Sequence, residues 1–449
     1  MLDLPNLMLG LLASIVHKMT GFSDEVLPAA LEDAAAPHSL VNWGQGIESV
    51  KPTEQESAYF KAKVEPKMLQ SSIFGMLTGL WVALTSAFTL KVSDKDIGVL
   101  LNETTNSRLI AHDLTIDMTY HGSLTLLPGL YLPSVVAFIG QNKDTNLLFL
   151  ESLSISNIKV SRGDKLWNLA KIYFLQSLQY ETLFSNHSVI HIHNGYFEQA
   201  FHTSLPESNP LHIFLKSHFG YGFALVDTII RIFHQHTSPG NPFALPVDPT
   251  LHAMAIGIKS FRYAKLNPEY VDSPINRALA KSQQVVRNHL ADFFTHNIKT
   301  PEHLQEVKTF VSSIATHVSW IPRNDLDNTE IVIDVIARFL FEGSIYHGFD
   351  HIQLTDIIGI HGSVARLRKP FDGVNDWKAS ELIHRIDTFQ RVVFQAVFHG
   401  RKHSDSILDV KYDERIQLTP GKFKNELLEV QKEFPEFIKL ENIGAFINI

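Results

Sequence analysis

The stretch from Asp164 to Ser204, DKLWNLAKIYFLQSLQYETLFSNHSVIHIHNGYFEQAFHTS, constrains this chain most. It runs for 41 residues with no proline and one glycine, Gly195. Apolar side chains at Leu166, Trp167, Leu169, Ile172, Tyr173, Leu175 and Leu178 fall on every side of a helical wheel. A helix that is apolar all round belongs in an interior. Its second half nevertheless carries His187, His191, His193 and His202. An imidazole taken out of water needs a hydrogen-bond partner or a metal ion. His187 and His191 stand four apart, which puts both rings on one helix face and within reach of a single ion. A lone buried histidine is ordinarily a hydrogen-bonded core residue. The pair keeps the structural and the metal reading both open until matching residues appear elsewhere.

A second stretch supplies them. Thr329–His351, TEIVIDVIARFLFEGSIYHGFDH, is again largely apolar, and it delivers His347 and His351, also four apart. Asp334, Arg338 and Glu342 follow at the same spacing and read as a structural ion-pair row along a helix. Gly343 and Gly348 flank the first histidine. Glycine weakens a helix, so its presence there predicts close approach of another backbone or a ligand. The chain ends FIKLENIGAFINI, without a charged side chain after Glu441. An apolar terminus prefers burial, which takes the terminal carboxylate of Ile449 inside with it and calls for a cation. Two histidine pairs on two interior helices and one anion make a donor set suited to iron or manganese, with zinc as a further option.

Composition narrows the alternatives. The chain has no cysteine, which excludes disulfides and thiolate metal sites and leaves nitrogen and oxygen as ligands. Histidine is abundant, at 23. A net charge of −8 with no basic stripe argues against nucleic acid as a partner. The N-terminal MLDLPNLMLGLLASIV lacks Lys and Arg and contains Asp3, so it reads as a helix docked on the core and not as a signal peptide. Residues 21–60 mix acids, prolines and glycines and read as a surface wrap. Ile73–Leu90 holds eighteen residues without a charge, the lower limit for a membrane span. It is expected to be a buried or channel-lining helix first, and a peripheral membrane contact second.

Between about Leu109 and Ser156 the pattern changes. DLTIDMTYHG, SVVAFIG and NLLFLES are β-rich and separated by turn formers, which predicts a small antiparallel sheet. A breaker-rich loop at 238–249 follows the histidine helix, and helical pattern resumes at 272–295 and 300–319. The expectation is a mainly α protein, one large helical domain over 1–449 around two long central helices. In it 1–108 form an N-terminal wrap, 109–156 the small β region and 157–449 the metal-binding core.

At this point the residues resemble the lipoxygenase family. Trp167-x-x-Ala170-Lys171 is similar to its W-x-x-A-K signature, His187 follows the tryptophan at the interval of the first metal histidine, and His191 resembles the second. Ala200, Leu205 and the run from Asn209-Pro210-Leu211 to His218-Phe219 resemble a further family segment, with Asn209 in place of a histidine. Phe341–His351 resembles the segment carrying the third metal histidine, at His347, with His351 where the family has Asn or His. Ile449 matches the terminal isoleucine whose carboxylate binds the metal. The resemblance spans roughly 110–449, and no N-terminal lipid-binding β-barrel (PLAT) domain fits ahead of it. It implies a catalytic region that inserts O2 into polyunsaturated fatty acids, by hydrogen abstraction from a bis-allylic carbon, to give hydroperoxides. The implied metal ligands are His187, His191, His347, His351 and Ile449, and the only catalytic group beyond them is a metal-bound hydroxide. Non-haem iron is the implied cofactor. The three residues between His187 and His191, where most of the family has four, resemble some fungal manganese enzymes and keep manganese as the alternative. Gln353 reads first as a solvated side chain and second as an outer partner of the metal, while His193, His202, His212 and His218 read as structural. Two other classes compete. An HD-type phosphohydrolase would use His112-Asp113, which falls in the β region without a placed third ligand. A non-enzymatic lipid-binding protein would use Ile73–Leu90 and leave the histidines structural.

Overall fold

The computed structural model describes residues 92–124, 129–219, 265–351, 366–384, 406–419, 421–437 and 439–446, with a few single positions besides. The expected wrap over 21–60, nearly all of Ile73–Leu90, the 238–249 loop, Gln353 and Ile449 lie outside the described residues. The architecture is mainly α with one small antiparallel sheet. Among the described residues no helix is long and apolar enough to cross a membrane.

Helix α1 (Asp94–Asn102) opens on a capping box at Ser93 and Asp96. The sheet follows, with strands β1 (Thr115–Met118), β2 (Val135–Gln141), β3 (Leu148–Ile155) and β4 (Ile158–Ser161) in that spatial order. Ile116 lies opposite Ala137, Ala137 opposite Leu153 and Leu153 opposite Val160. Those four line one buried face, as period-two alternation requires. The fourth strand carries the sheet past the expected boundary at Ser156.

Helix α2 (Trp167–Tyr180) runs into a π-helical segment, Glu181–His187, and continues as α3 (Ser188–Ser204). Trp167 to Leu178 pack with α1 and the sheet, whereas Tyr180 to Leu205 belong to a second, larger apolar cluster. The long helix therefore joins two cores, and its π segment lies at their junction. Lys171 Nζ and Trp167 Nε1 both donate to Asp94 Oδ1, at 2.8 and 3.0 Å. The signature tryptophan and lysine thus anchor the long helix to the first turn of α1. Burial raises the Asp94 carboxyl, but the bonds from Lys171, Trp167 and Arg162 outweigh it and hold the group down at about 2.

Four more helices follow, α4 (Pro210–Lys216), α5 (Pro274–Asn297), α6 (Pro301–Ala315) and α7 (Thr329–Phe341); α6 and α7 pack on α3, and α5 packs on α7. The first three begin with proline in the first turn after a side-chain cap from Asn209, Ser273 or Thr300, and α7 is capped by Asn328. The residue that departs from the family's pattern, Asn209, is thus the α4 cap, and its amide also reaches His303 O and Glu306. Helix α7 passes into a second π segment, Glu342–Tyr346, and helix resumes through His351. Near the C-terminus, α8 (Lys422–Glu433) packs on α5.

The ion-pair row along α7 is only half formed. Arg338 Nε donates to Glu342 Oε1 at 2.8 Å inside the protein. Asp334 turns away and accepts from Arg287 Nε of α5 at 2.6 Å. The crossing of α5 over α7 supplied a partner that spacing along one helix does not reveal.

Candidate metal centre

The two π segments do the positioning. Each adds a residue to a helical turn before a histidine pair, and π insertions gather at functional sites. His187 closes the first and His191 follows one turn into α3. His347 follows the second directly and His351 comes one turn later. The result is a single cluster of His187, His191, His347 and His351, whose nearest ring nitrogens all lie within 4.8 Å of one another. Three of the rings are buried and His351 is half-buried.

His191 Nε2 lies 3.1 Å from His187 Nε2 and 2.9 Å from His347 Nε2. His187 Nδ1 sits 2.7 Å from Asp350 Oδ2, which places its proton on Nδ1 and turns a lone pair inward at Nε2. His191 can donate from Nε2 to only one of its two neighbours, so the rings cannot satisfy one another. A cation among them resolves the conflict. Two nitrogens held about 2.1 Å from one ion at a right angle stand about 3 Å apart, which matches the observed separations. Burial, reinforced by the neighbouring rings, pushes the pKa of His191 and His347 well below the ordinary value and keeps them neutral, the form that binds metal. Among the described residues this is the one group of three or more His, Asp or Glu side chains arranged to hold an ion.

The tail comes close. A Cβ on Gly343 would fall 2.5 Å from Phe446 Cε2, and one on Gly348 would fall 3.2 Å from Ile443 Cγ2. Both glycines admit the C-terminal segment against the histidine helix, as their position predicts. Ile449 itself lies outside the described residues.

The other histidines singled out in the sequence are placed apart from the cluster. His193 Nδ1 accepts from Trp320 Nε1 at 3.3 Å, and Trp320 stacks under the Arg338 guanidinium at 3.8 Å. His202 is exposed, and His212 Nδ1 bonds Leu205 O at 3.0 Å. His218 Nδ1 donates to Ala445 O at 3.1 Å, and its Nε2 accepts from the Tyr412 hydroxyl at 3.1 Å. His112 is 64% exposed and faces Glu269, while Asp113 bonds Thr115, so the HD pair stands on the surface away from any metal-holding group. Sequence reasoning passed over Asp350. Its only signal was an acid between Phe349 and His351 on an otherwise apolar face.

No protein-family model matches the sequence, and no curated protein matches it. Solved structures do resemble it. A manganese lipoxygenase of Gaeumannomyces graminis is 13% identical over 82% of this chain and 76% of that one, at a TM-score of 0.62. A variant LOX solved in complex with arachidonate is 11% identical over 88% and 75%, at 0.69. Coral 8R-lipoxygenase is 12% identical over 88% and 75%, at 0.63. With its two interior helices, four clustered imidazoles and small sheet, the chain has a lipoxygenase-like fold of the catalytic-domain kind.

Proposed function

We propose that this protein is a non-haem metal dioxygenase that adds O2 to polyunsaturated fatty acids. The observation that carries the reading is the spacing of the buried imidazoles, with Nε2 atoms 2.9 and 3.1 Å apart inside a lipoxygenase-like fold. His187, His191 and His347 are the inner nitrogens, and His351, half-buried at the edge of the cluster, is the fourth. Ile449 supplies the anion through its terminal carboxylate. Phe446, three residues before Ile449, packs on Gly343, which itself lies four residues before His347, and this supports the assignment. Neutral imidazoles with a single carboxylate suit iron or manganese, and such an ion supplies one-electron chemistry for taking hydrogen from a bis-allylic carbon. The chain's own work is to hold the rings in one tautomer and to keep bulk water from them.

The test joins two measurements on one preparation. The protein is incubated with linoleic and arachidonic acids while the ultraviolet absorbance of a conjugated diene is followed, and bound metal is counted by elemental analysis. The expected result is diene formation, with iron or manganese near one per chain. His347→Ala is expected to lose both signals, and one alanine added after Ile449 to lose turnover. A metal-free protein, or a metal-loaded one inert toward both acids, would remove this reading.

A further inference from the structure

Asp350 has no surface exposure, yet it carries a carboxylate one residue before His351. Its Oδ2 faces His187 Nδ1 at 2.7 Å, and its Oδ1 accepts from the Thr105 hydroxyl at 2.5 Å. Among the described residues no lysine or arginine pairs with it. A buried carboxylate is costly unless its charge is balanced and its oxygens are bonded. Thr105 lies in the 3-10 turn Thr105–Leu109, all of which is buried. That turn is itself fixed, because Asn106 Oδ1 accepts from Thr182 Oγ1 at 2.6 Å and Ser107 Oγ meets Ser273 Oγ at 3.0 Å. The carboxylate is therefore gripped from two sides, by a rigid turn and by one ring of the histidine cluster.

We infer that Asp350 is a positioning residue for the metal centre, with Thr105 as its anchor. Resting on the metal reading above, this adds a partner outside the coordinating set. The carboxylate fixes the His187 ring, keeps its proton on Nδ1 and so presents Nε2 to the ion. It also sets a fully buried carboxylate beside the four rings, and a bound cation is the group that balances it. Histidine ligands are commonly oriented by a carboxylate in this way, and loss of such a partner costs about 10–100-fold in metal affinity or activity. Of the buried pair His191 and His347, neither Nδ1 has a hydrogen-bond partner among the described residues. The orienting contact is thus concentrated on His187, which makes Asp350 the single side chain to change.

The experiment measures metal affinity by chelator competition, using manganese(II), and records the electron paramagnetic resonance spectrum of the loaded full-length protein. Asp350→Asn keeps the shape and removes the charge. It is expected to weaken binding by about 10–100-fold and to change the spectrum, while circular dichroism of the metal-free protein shows a native fold. A merely structural role would leave the spectrum of the bound ion alone. If Asp350→Asn does not fold, Thr105→Val decides. It retains the carboxylate but cuts its anchor, and a several-fold loss of affinity is expected. Wild-type affinity and an unaltered spectrum in the folded variant would overturn the role of Asp350 and leave the dioxygenase reading standing. Failure of the wild type to bind manganese or iron would overturn both.

Discussion

Gly343 shows how much one missing carbon decides. It lies in the second π segment, and the space its side chain would fill is taken by the Phe446 ring. That ring has little room to retreat, since Phe219 stands against it with centroids 4.7 Å apart and Phe197 lies at 6.4 Å. Gly343→Ala is accordingly expected to displace the tail and to cost about 1–3 kcal/mol, the usual penalty for overpacking a filled core. Gly348→Ala comes no nearer than 3.2 Å to Ile443, at its Cγ2 methyl, and should cost less. Denaturant unfolding of the two variants checks the ranking, and equal stability with the parent would show that the tail does not press on this helix. The same two variants report on Ile449: if its carboxylate reaches the ion, Gly343→Ala also lowers bound metal.

At the scale of elements, three separate parts of the chain meet at Tyr412. His218, just past α4, donates from Nδ1 to Ala445 O, so its Nε2 is the acceptor for the Tyr412 hydroxyl. The tyrosine oxygen then accepts from His289 Nε2 of α5 at 2.9 Å. One proton arrangement satisfies the whole chain and ties the tail to α4 and α5. Tyr412→Phe keeps the ring stacked on Phe214 but leaves two buried imidazole nitrogens without a partner. The expected cost is about 1–3 kcal/mol, with faster proteolysis of the C-terminal segment, and a parental thermal midpoint would dismiss the tie. Most of the elements involved were legible beforehand. β-rich segments between turn formers marked β1 to β3, and helical pattern marked α5 and α6 to within a few residues at their starts. The histidine pairs were legible because four-residue spacing survives on any helix. The π segments were not, because an inserted residue leaves no trace in apolar spacing when every face of the helix is buried. Partners distant in sequence, such as Arg287 for Asp334 and Thr105 for Asp350, were invisible for the same physical reason: packing chooses them, not local order.

For the molecule as a whole, the buried histidines outside the metal cluster set the acid limit of stability. Burial lowers His121 and His289 from the ordinary 6.5 to about 3, and His218 to about 4. Each is neutral in the folded chain and an ordinary imidazole in the unfolded one. Above 6.5 both states are neutral and the folded protein keeps its full stability. As the pH falls below 6.5 the unfolded chain takes up protons that the folded chain refuses, and stability drops until the folded groups titrate near 3 to 4. Each group contributes about 1.4 kcal/mol per pH unit in that window, and the three together about 4 kcal/mol per pH unit, so a fall of one to two units offsets much of the roughly 5–15 kcal/mol typical of a folded domain. Acid unfolding is therefore expected between about pH 6 and about pH 4, driven by imidazoles and not by carboxylates. The check is thermal unfolding by circular dichroism across that range, with a chelator present throughout so that metal release does not contribute. His289→Gln, which removes one of the titrating groups, should flatten the slope below pH 6.5, whereas a slope unchanged in that variant, or a midpoint constant down to about pH 4, would assign acid sensitivity to other groups.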